Sequence, residues 1–235
     1  CHGVVLNDVL GWKRDQYLLM TKGTADSADA MRRRVEEQLI ALKTDHIDLY
    51  GWHGINNPQN LASATRSGGP VEELLKMKQE GIIGDLGFST HAPLEVIIDA
   101  IATDLFSFVN LHYYYFMQRN LGAVEYAAAK GLGVFIISPN DKGGKLYEPS
   151  KKLAKLCAPL TPIQFNARWC LANQNIHTLS FGLSEPSHIE EMMGIFPFTV
   201  PLSLADQKIT QRMNEAQLKD PSSAWHGFEF ADDPS

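Results

Sequence analysis

The chain has 235 residues, 44% hydrophobic and 20% charged, which is enough apolar material for one large globular core. The net charge is −6, and the single short basic run, residues 32–34, lies inside a helical pattern, so nothing favours a nucleic-acid partner. No apolar stretch approaches the roughly 20 residues of a membrane-spanning helix, which argues against a membrane partner.

Short apolar runs alternate with helical patterns along the chain. The run at 17–21 is followed by apolar residues spaced three and four apart from Ala28 to Leu42, which predicts a helix capped by Asp26 or Ser27. Further strands are predicted at residues 47–53, 82–89, 106–113, 133–138 and 178–182. Further helices are predicted at residues 71–79, 93–102, 121–129, 161–172, 187–193 and 204–218, with a tail from 220 to 235.

This alternation predicts an α/β protein with a parallel sheet covered by helices. A doubly wound open sheet usually carries a GxGxxG turn after its first strand, and the chain has none, which favours a (β/α)8 TIM barrel. A barrel needs eight strands and six are counted, so we expect two β/α units to precede Cys1. The predicted domains are a barrel over residues 1–200 (units three to eight) and a C-terminal helix and tail over 201–235.

Barrel active sites lie at the carboxyl ends of the strands, where this chain places Lys22 and His53. Considered alone, the lysine would be interpreted as an exposed solubilising residue and the histidine as a half-buried structural residue. Their position at the carboxyl ends of the strands makes them catalytic candidates. The eight histidines show no HxH or HExxH spacing and the three cysteines no CxxC, so no metal site is predicted. The separated cysteines indicate a reduced, cytoplasmic compartment.

Several segments, in order, resemble motifs of the aldo-keto reductase family. Residues 39–53 resemble SLxxLxxDYIDLYxxH, the most specific of them, and residues 78–89 resemble KxxGKIRxIGxS. Residues 129–139, 167–171 and 182–191 resemble xxxGIGVxxxSPL, ALRWxL and PGxSxxxxLEEN. Residues 87–91 with 143–146 are similar to a branch whose members often carry an iron–sulfur domain, but the cluster cysteines are absent from this sequence.

The resemblance implies a carbonyl reductase that uses NADPH, with NADH as the alternative cofactor and a small carbonyl compound as substrate. Lys22 and His53 take the places of the catalytic lysine and histidine. The family's catalytic Asp and Tyr belong to a DTAxxYG segment, which we expect just ahead of Cys1. The implied cofactor contacts are Ser89, Thr90, Asn110, Ser138, Asn140, Lys142, Gly182, Ser184, His188 and Glu191.

Three departures from the family pattern concern the cofactor. Ile137 replaces a Tyr that stacks on the nicotinamide, His188 replaces an Arg that often pairs with the 2′-phosphate, and Met192 replaces an Asn. These departures leave open a second interpretation, a non-catalytic or regulatory barrel that binds a nicotinamide nucleotide or a partner protein. An unrelated barrel, such as a metal-dependent hydrolase, is the third. The sequence does not predict the oligomeric state.

Overall fold

A computed structural model describes residues 4–9 and 11–219. The chain divides into two compact units, which we describe separately. Unit 1 consists of the described residues of Cys1–Leu111 together with Asn120–Val134. Unit 2 consists of His112–Arg119 and the described part of Phe135–Ser235. The predicted domain boundary at residue 200 stays a prediction.

Unit 1 holds four strands that pair in parallel in chain order. Each of them is followed by helix, which is the βαβ arrangement that the alternating pattern predicts. The strands are β1 (Met20–Gly23), β2 (Ile47–His53), β3 (Ile83–Ser89) and β4 (Phe108–Leu111). The helices are α1 (Ala28–Leu42), α2 (Pro58–Thr65), α3 (Pro70–Gln79), α4 (Leu94–Ala102) and α5 (Leu121–Ala129).

Local chemistry fixes where these helices begin and end. Ser27 caps α1 by accepting a hydrogen bond from the Ala30 amide at 3.3 Å, and Lys43 closes the helix in the left-handed conformation at φ 55°. Asn57 caps α2 in the same way, with a proline at its first position. The cap predicted at Ser27 is therefore confirmed.

The two faces of the unit 1 sheet differ in what covers them. One face contacts α1: on this face, the Tyr50 hydroxyl donates a hydrogen bond to Oε1 of Gln38, a residue of α1, at 2.8 Å. Residues two apart in a strand share a face. Trp52 therefore lies on this covered face, where most of the buried side chains are apolar. Its buried members include Tyr50, Trp52, Leu86, Phe88 and Val109.

Arg14, in a short 3₁₀ helix at Arg14–Gln16, ties the segment before β1 to β2. Its guanidinium donates hydrogen bonds to the hydroxyl of Thr44, to the backbone carbonyls of residues 17 and 46, and to Asp48 Oδ2 at 2.5 Å. The same Asp48 oxygen accepts the Leu19 amide at 2.7 Å. Partial burial raises the pKa of Asp48, but the Leu19 and Arg14 bonds outweigh it and leave that pKa below its ordinary value.

Unit 2 contains a second parallel pair of strands and four α-helices. Strand β5 (Gly133–Ile137), whose first two residues belong to unit 1, pairs with β6 (Thr178–Ser180) through Phe135 to Ile137. The helices are α6 (Lys151–Cys157), α7 (Pro162–Leu171), α8 (Pro186–Met193) and α9 (Leu204–Leu218). A core cluster joins α6, α7 and α9 through Tyr115, Cys157, Phe165, Ile209 and Met213.

Arg168 of α7 fastens the chain that follows α8. Its Nε donates to the Ile195 carbonyl at 2.8 Å and its Nη2 to the Gly194 carbonyl at 3.3 Å. Its Nη1 lies 3.5 Å from the carboxylate of Asp206, which is buried in α9. One cation therefore connects three segments of unit 2.

The described residues confirm six strands in the predicted order, with the bounds of β2 and α1 as predicted. The first strand was predicted at 17–21 and lies at Met20–Gly23 instead; Leu18 is 80% exposed. Two helices were missed, because α2 and α6 are short and lie in segments for which no element was predicted. The complete eight-stranded barrel stays a prediction, and the predicted tail at 220–235 lies outside the described residues.

Candidate functional site

Two adjacent rows of residues cross one face of the unit 1 sheet, the face opposite Tyr50. Residues in register on parallel strands point to the same side, as do residues two apart along one strand. The lower row is Lys22, Gly51, Gly87 and Phe108. The upper row is His53, Ser89 and Asn110. Four of the predicted site residues in unit 1 are therefore brought to one surface.

Lys22 occupies the first strand of the lower row. Its backbone carbonyl accepts a hydrogen bond from Gln38 at 3.0 Å, which holds the strand to α1. Its side chain is half-buried, and this burial lowers the pKa of the ammonium group because the charged form loses hydration. Lys22 is thus able to release a proton closer to neutral pH than an exposed lysine.

His53 ends β2 and its side chain is exposed. Gly54, at φ +86°, turns the chain immediately afterwards, so the imidazole stands at the rim of the strand. Strand geometry, with about 3.3 Å per residue along a strand and about 4.8 Å between strands, separates the Cα atoms of Lys22 and His53 by about 8 Å. One small ligand can contact both side chains across that distance.

Ser89 and Asn110 continue the upper row with buried polar groups. Ser89 Oγ accepts the Gly54 amide at 3.2 Å, and Asn110 Nδ2 donates to the Phe88 carbonyl at 3.5 Å, the outer limit for such a bond. A buried amide with a long bond is suited to a stronger polar partner, such as a carboxamide.

Thr90 follows β3 and serves the loops themselves. Its buried hydroxyl donates to the Ile55 carbonyl at 2.6 Å and accepts the Ala92 amide at 2.9 Å. The hydroxyl proton of Thr90 is therefore already used in a hydrogen bond within the protein. A direct contact between this side chain and a cofactor stays a prediction.

In unit 2, the predicted residues Ser138, Asn140 and Lys142 lie in the segment after β5. Left-handed backbone recurs through this segment, at Ser138 (φ 52°), Asp141 (φ 60°) and the two glycines 143 and 144 (φ 74° and 73°). Successive turns of this kind form concave sites for anions, and strained non-glycine residues cluster at functional positions. Lys142 is exposed beside them, so the segment suits a phosphate group.

Five residues of unit 2 form a second connected group. The Gly182 carbonyl accepts hydrogen bonds from Asn140 Nδ2 at 3.3 Å and from the Tyr147 hydroxyl at 2.9 Å. The Tyr147 ring stacks on His188 with ring centroids 3.6 Å apart and planes 9° from parallel. His188 Nδ1 in turn accepts the Ser184 amide at 3.2 Å, so Nε2 is the nitrogen that carries the proton in the neutral ring.

Glu191 is placed differently from the other predicted cofactor residues. Its carboxylate accepts a hydrogen bond from the Thr161 hydroxyl, and its backbone carbonyl accepts one from Gln164 at 3.4 Å. Thr161 is the cap of α7. The carboxylate of Glu191 therefore supports the start of α7, and a role toward a cofactor stays a prediction.

Comparison with known proteins identifies the family. The Aldo/keto reductase family model matches residues 3–214. The chain belongs to the aldo/keto reductase family. In this family member, none of the helices in the described ranges combines the length and apolar character that a membrane-spanning helix needs. Within residues 4–9 and 11–219, no three His, Cys, Asp or Glu side chains converge as a metal site.

Known aldo/keto reductases and related dehydrogenases resemble the chain at low identity. L-galactose dehydrogenase of Arabidopsis thaliana is 24% identical over 207 residues, 76% of this chain and 63% of that protein. The chain thus spans less than two thirds of this curated relative. An aldo-keto reductase of Bacillus halodurans in its holo form superimposes with a TM-score of 0.72 at 21% identity, over 90% of this chain and 77% of that one. Glycerol dehydrogenase of Gluconobacter oxydans gives a TM-score of 0.70 at 17% identity, over 99% and 80%. These structures show the fold.

Gly51 and Tyr147 are among the residues of the candidate sites in this aldo/keto reductase that were not predicted from sequence. Gly51 lies in the lower row, and its signal was a glycine inside an apolar strand, which often marks a close approach. Tyr147 stacks on His188, and because 40 residues separate the two in sequence, no local pattern predicts such a contact.

Proposed function

We propose that this aldo/keto reductase family member interconverts a small carbonyl compound and its alcohol, with NADPH as the reductant. The observation that carries the proposal is the pair of rows on one face of the unit 1 sheet. They combine a half-buried lysine of lowered pKa, a histidine at the strand rim, and two buried polar side chains at neighbouring strand ends. Such a combination suits proton transfer beside a polar, oriented ligand.

Each unit, taken by itself, contains residues that match a chemical group of nicotinamide dinucleotides. In unit 1, the buried Asn110 amide with its long bond, next to Ser89, matches a carboxamide. In unit 2, the left-handed turns around Lys142 match a pyrophosphate, which backbone amides and an exposed cation bind well. We assign Ser138 and Asn140 to this phosphate segment, and Gly182, Ser184 and His188 to the adenosine end.

The chemistry follows from what each side chain offers. When bound, the reduced nicotinamide supplies the hydride that converts a carbonyl carbon into an alcohol carbon. His53 donates a hydrogen bond to the carbonyl oxygen, where negative charge develops, and thereby orients the substrate. Lys22 holds a proton at Nζ and, because burial favours its neutral form, releases it to the proton path more readily than an exposed lysine would.

The preferred cofactor depends on the 2′-phosphate. Residues 176–200 contain no Lys or Arg, so His188 is the group to which we assign the 2′-phosphate of NADPH. A lone imidazole holds a phosphate more weakly than an arginine, and NADH is therefore the alternative. Comparing the two dissociation constants in His188→Arg and in the unsubstituted protein tests the assignment, because the arginine should strengthen NADPH binding selectively.

The first experiment titrates NADPH and then NADH into the purified protein and follows the emission of the cofactor itself. We expect saturable binding, followed by reduction of a small aromatic aldehyde. For the oxidising direction, the first substrate to test is L-galactose with NAD⁺ or NADP⁺, chosen from the name of the Arabidopsis relative. Absence of binding up to millimolar cofactor would contradict the proposal and favour the non-catalytic interpretation.

Substitution of Lys22 tests its assigned role. We expect Lys22→Met to lower kcat by about 10²- to 10⁴-fold, the range for loss of general acid–base catalysis, with cofactor binding retained. Lys13→Met is the matched control, because Lys13 is an exposed lysine of the same unit and lies outside both rows. Normal turnover by Lys22→Met would refute the assignment.

A further inference from the structure

Gly51 is a glycine that the backbone does not require. It lies buried within β2 in ordinary strand conformation, since its φ is outside the left-handed range that favours glycine. A glycine inside a strand costs about 0.5–1 kcal/mol relative to alanine, because it loses more chain entropy on folding and offers no side chain to pack. Some neighbour must therefore use the space that a Cβ would occupy.

That neighbour is the aliphatic stem of Lys22, the partner of Gly51 in register. A Cβ at position 51 would lie 2.9 Å from Cγ and 3.3 Å from Cδ of Lys22. The first distance is shorter than real Cβ atoms make, so the stem would have to move. Because Cγ is near the root of the side chain, a rotation that clears it carries the terminal ammonium group away by several bond lengths.

Gly87, the next residue of the lower row, is a useful contrast. A Cβ there would meet the buried ring of Phe108 within 2.3–2.5 Å. The spaces above both glycines are thus already filled by side chains of the protein itself. Space for a ligand does not explain them, and the two glycines differ in what they accommodate: a core ring in one case and the lysine in the other.

We propose that Gly51 is a positioning residue for Lys22: the missing Cβ sets the path of the lysine stem across the sheet, one row below His53. The inference rests on the proposed function only in giving Lys22 a part in the reaction. According to this inference, the side chain at position 51 influences turnover, although residue 51 contacts neither substrate nor cofactor. The half-burial that lowers the pKa of Lys22 agrees with such a constrained stem.

Activity and stability should separate in Gly51→Ala. A misplacement of about 1 Å at a catalytic group costs about 100-fold in rate, and we expect a fall of that order in kcat with KM for the cofactor changed less than about twofold. The melting temperature should stay within about 2 °C of the unsubstituted protein, because a flexible side chain relieves the clash. Gly87→Ala should instead lower it by about 4–10 °C, because a ring in the core has nowhere to go.

A second measurement does not depend on turnover. Acetic anhydride, applied at graded pH and followed by peptide mass spectrometry, gives the labelling rate of Lys22 and its apparent pKa. We expect Gly51→Ala to raise that pKa toward the ordinary lysine value, because the displaced ammonium group gains water, and to slow labelling at a fixed pH below it, because less of the amine is then neutral. Gly122→Ala, a helical site where a Cβ meets only Leu94 at 3.5 Å, is the control that should change neither quantity.

The outcomes are distinguishable. If the unsubstituted protein reduces no carbonyl compound, the proposed function fails, and the labelling of Lys22 alone decides whether Gly51 positions it. If Gly51→Ala leaves both kcat and the labelling profile unchanged, the inference is wrong. It is equally wrong if Gly51→Ala lowers the melting temperature as far as Gly87→Ala does while Lys22 labels normally, since Gly51 would then serve only the packing of the sheet.

Discussion

Replacing Arg14 should destabilise unit 1, because the hydrogen-bond acceptors of Arg14 lose their donor. Arg14→Met keeps the length of the stem but removes a guanidinium that donates to Thr44, Asp48 and two backbone carbonyls. Breaking a fully buried ion pair on one side costs about 3–5 kcal/mol. The side chains of Arg14 and Asp48 are 19% and 23% exposed, so water offsets part of that cost. We expect a loss of about 2–3 kcal/mol in the free energy of unfolding.

A double-mutant cycle with Asp48→Asn isolates the ion pair. The asparagine can still accept the Leu19 amide, so this single change should cost about 1 kcal/mol, and the coupling between the two positions should be about 1–2 kcal/mol at pH 7. Because the pKa of Asp48 is lowered in the folded state, the coupling is fully present above the ordinary pKa of 3.8 and is lost as the pH falls through the folded-state value. Urea unfolding at pH 7 and pH 3 measures it. A coupling below about 0.3 kcal/mol at pH 7 would refute the reasoning.

Two further predictions concern charged side chains that are partly or largely buried. The lowered pKa of Lys22 means that the unfolded chain binds more protons there between the folded-state value and 10.5, so the unsubstituted protein should gain stability relative to Lys22→Met as the pH rises toward 10.5. Thermal melts at pH 7 and pH 10 measure this, and an unchanged difference between the two proteins would contradict it. Arg168→Met should cost about 3 kcal/mol in urea unfolding, because two backbone carbonyls lose their donor and the buried Asp206 loses its cation. A cost below about 1 kcal/mol would show that the three segments hold together without it.

The sequence predicted the elements that carry strong periodic patterns. Apolar spacing and a serine cap predicted α1, and a seven-residue segment rich in large apolar side chains predicted β2. The missed helices α2 and α6 are eight and seven residues long, too short for a periodic signal. Their caps were visible nonetheless, as Asn57 before a proline and as Ser150 before two lysines.

Strand alternation could predict the face of each site residue, but not its contacts. Trp52 precedes His53 directly and therefore lies on the opposite face, where its side chain is buried. Contacts such as those of Arg14 with Asp48 and of Tyr147 with His188 join residues more than 30 positions apart. Only the folded chain decides which of many distant partners meet.

Both described thiols lie in unit 2, in consecutive helices. Their rates of alkylation can therefore report the local unfolding of those helices. Burial raises the pKa of Cys157 to about 11 and raises that of Cys170 as well, so near neutral pH very little reactive thiolate is present in the folded unit. Alkylation therefore waits for each helix to open. With Cys1 replaced by serine, the two alkylation rates compare the opening of α6 with that of α7, and would show whether a nucleotide that binds unit 2 slows both.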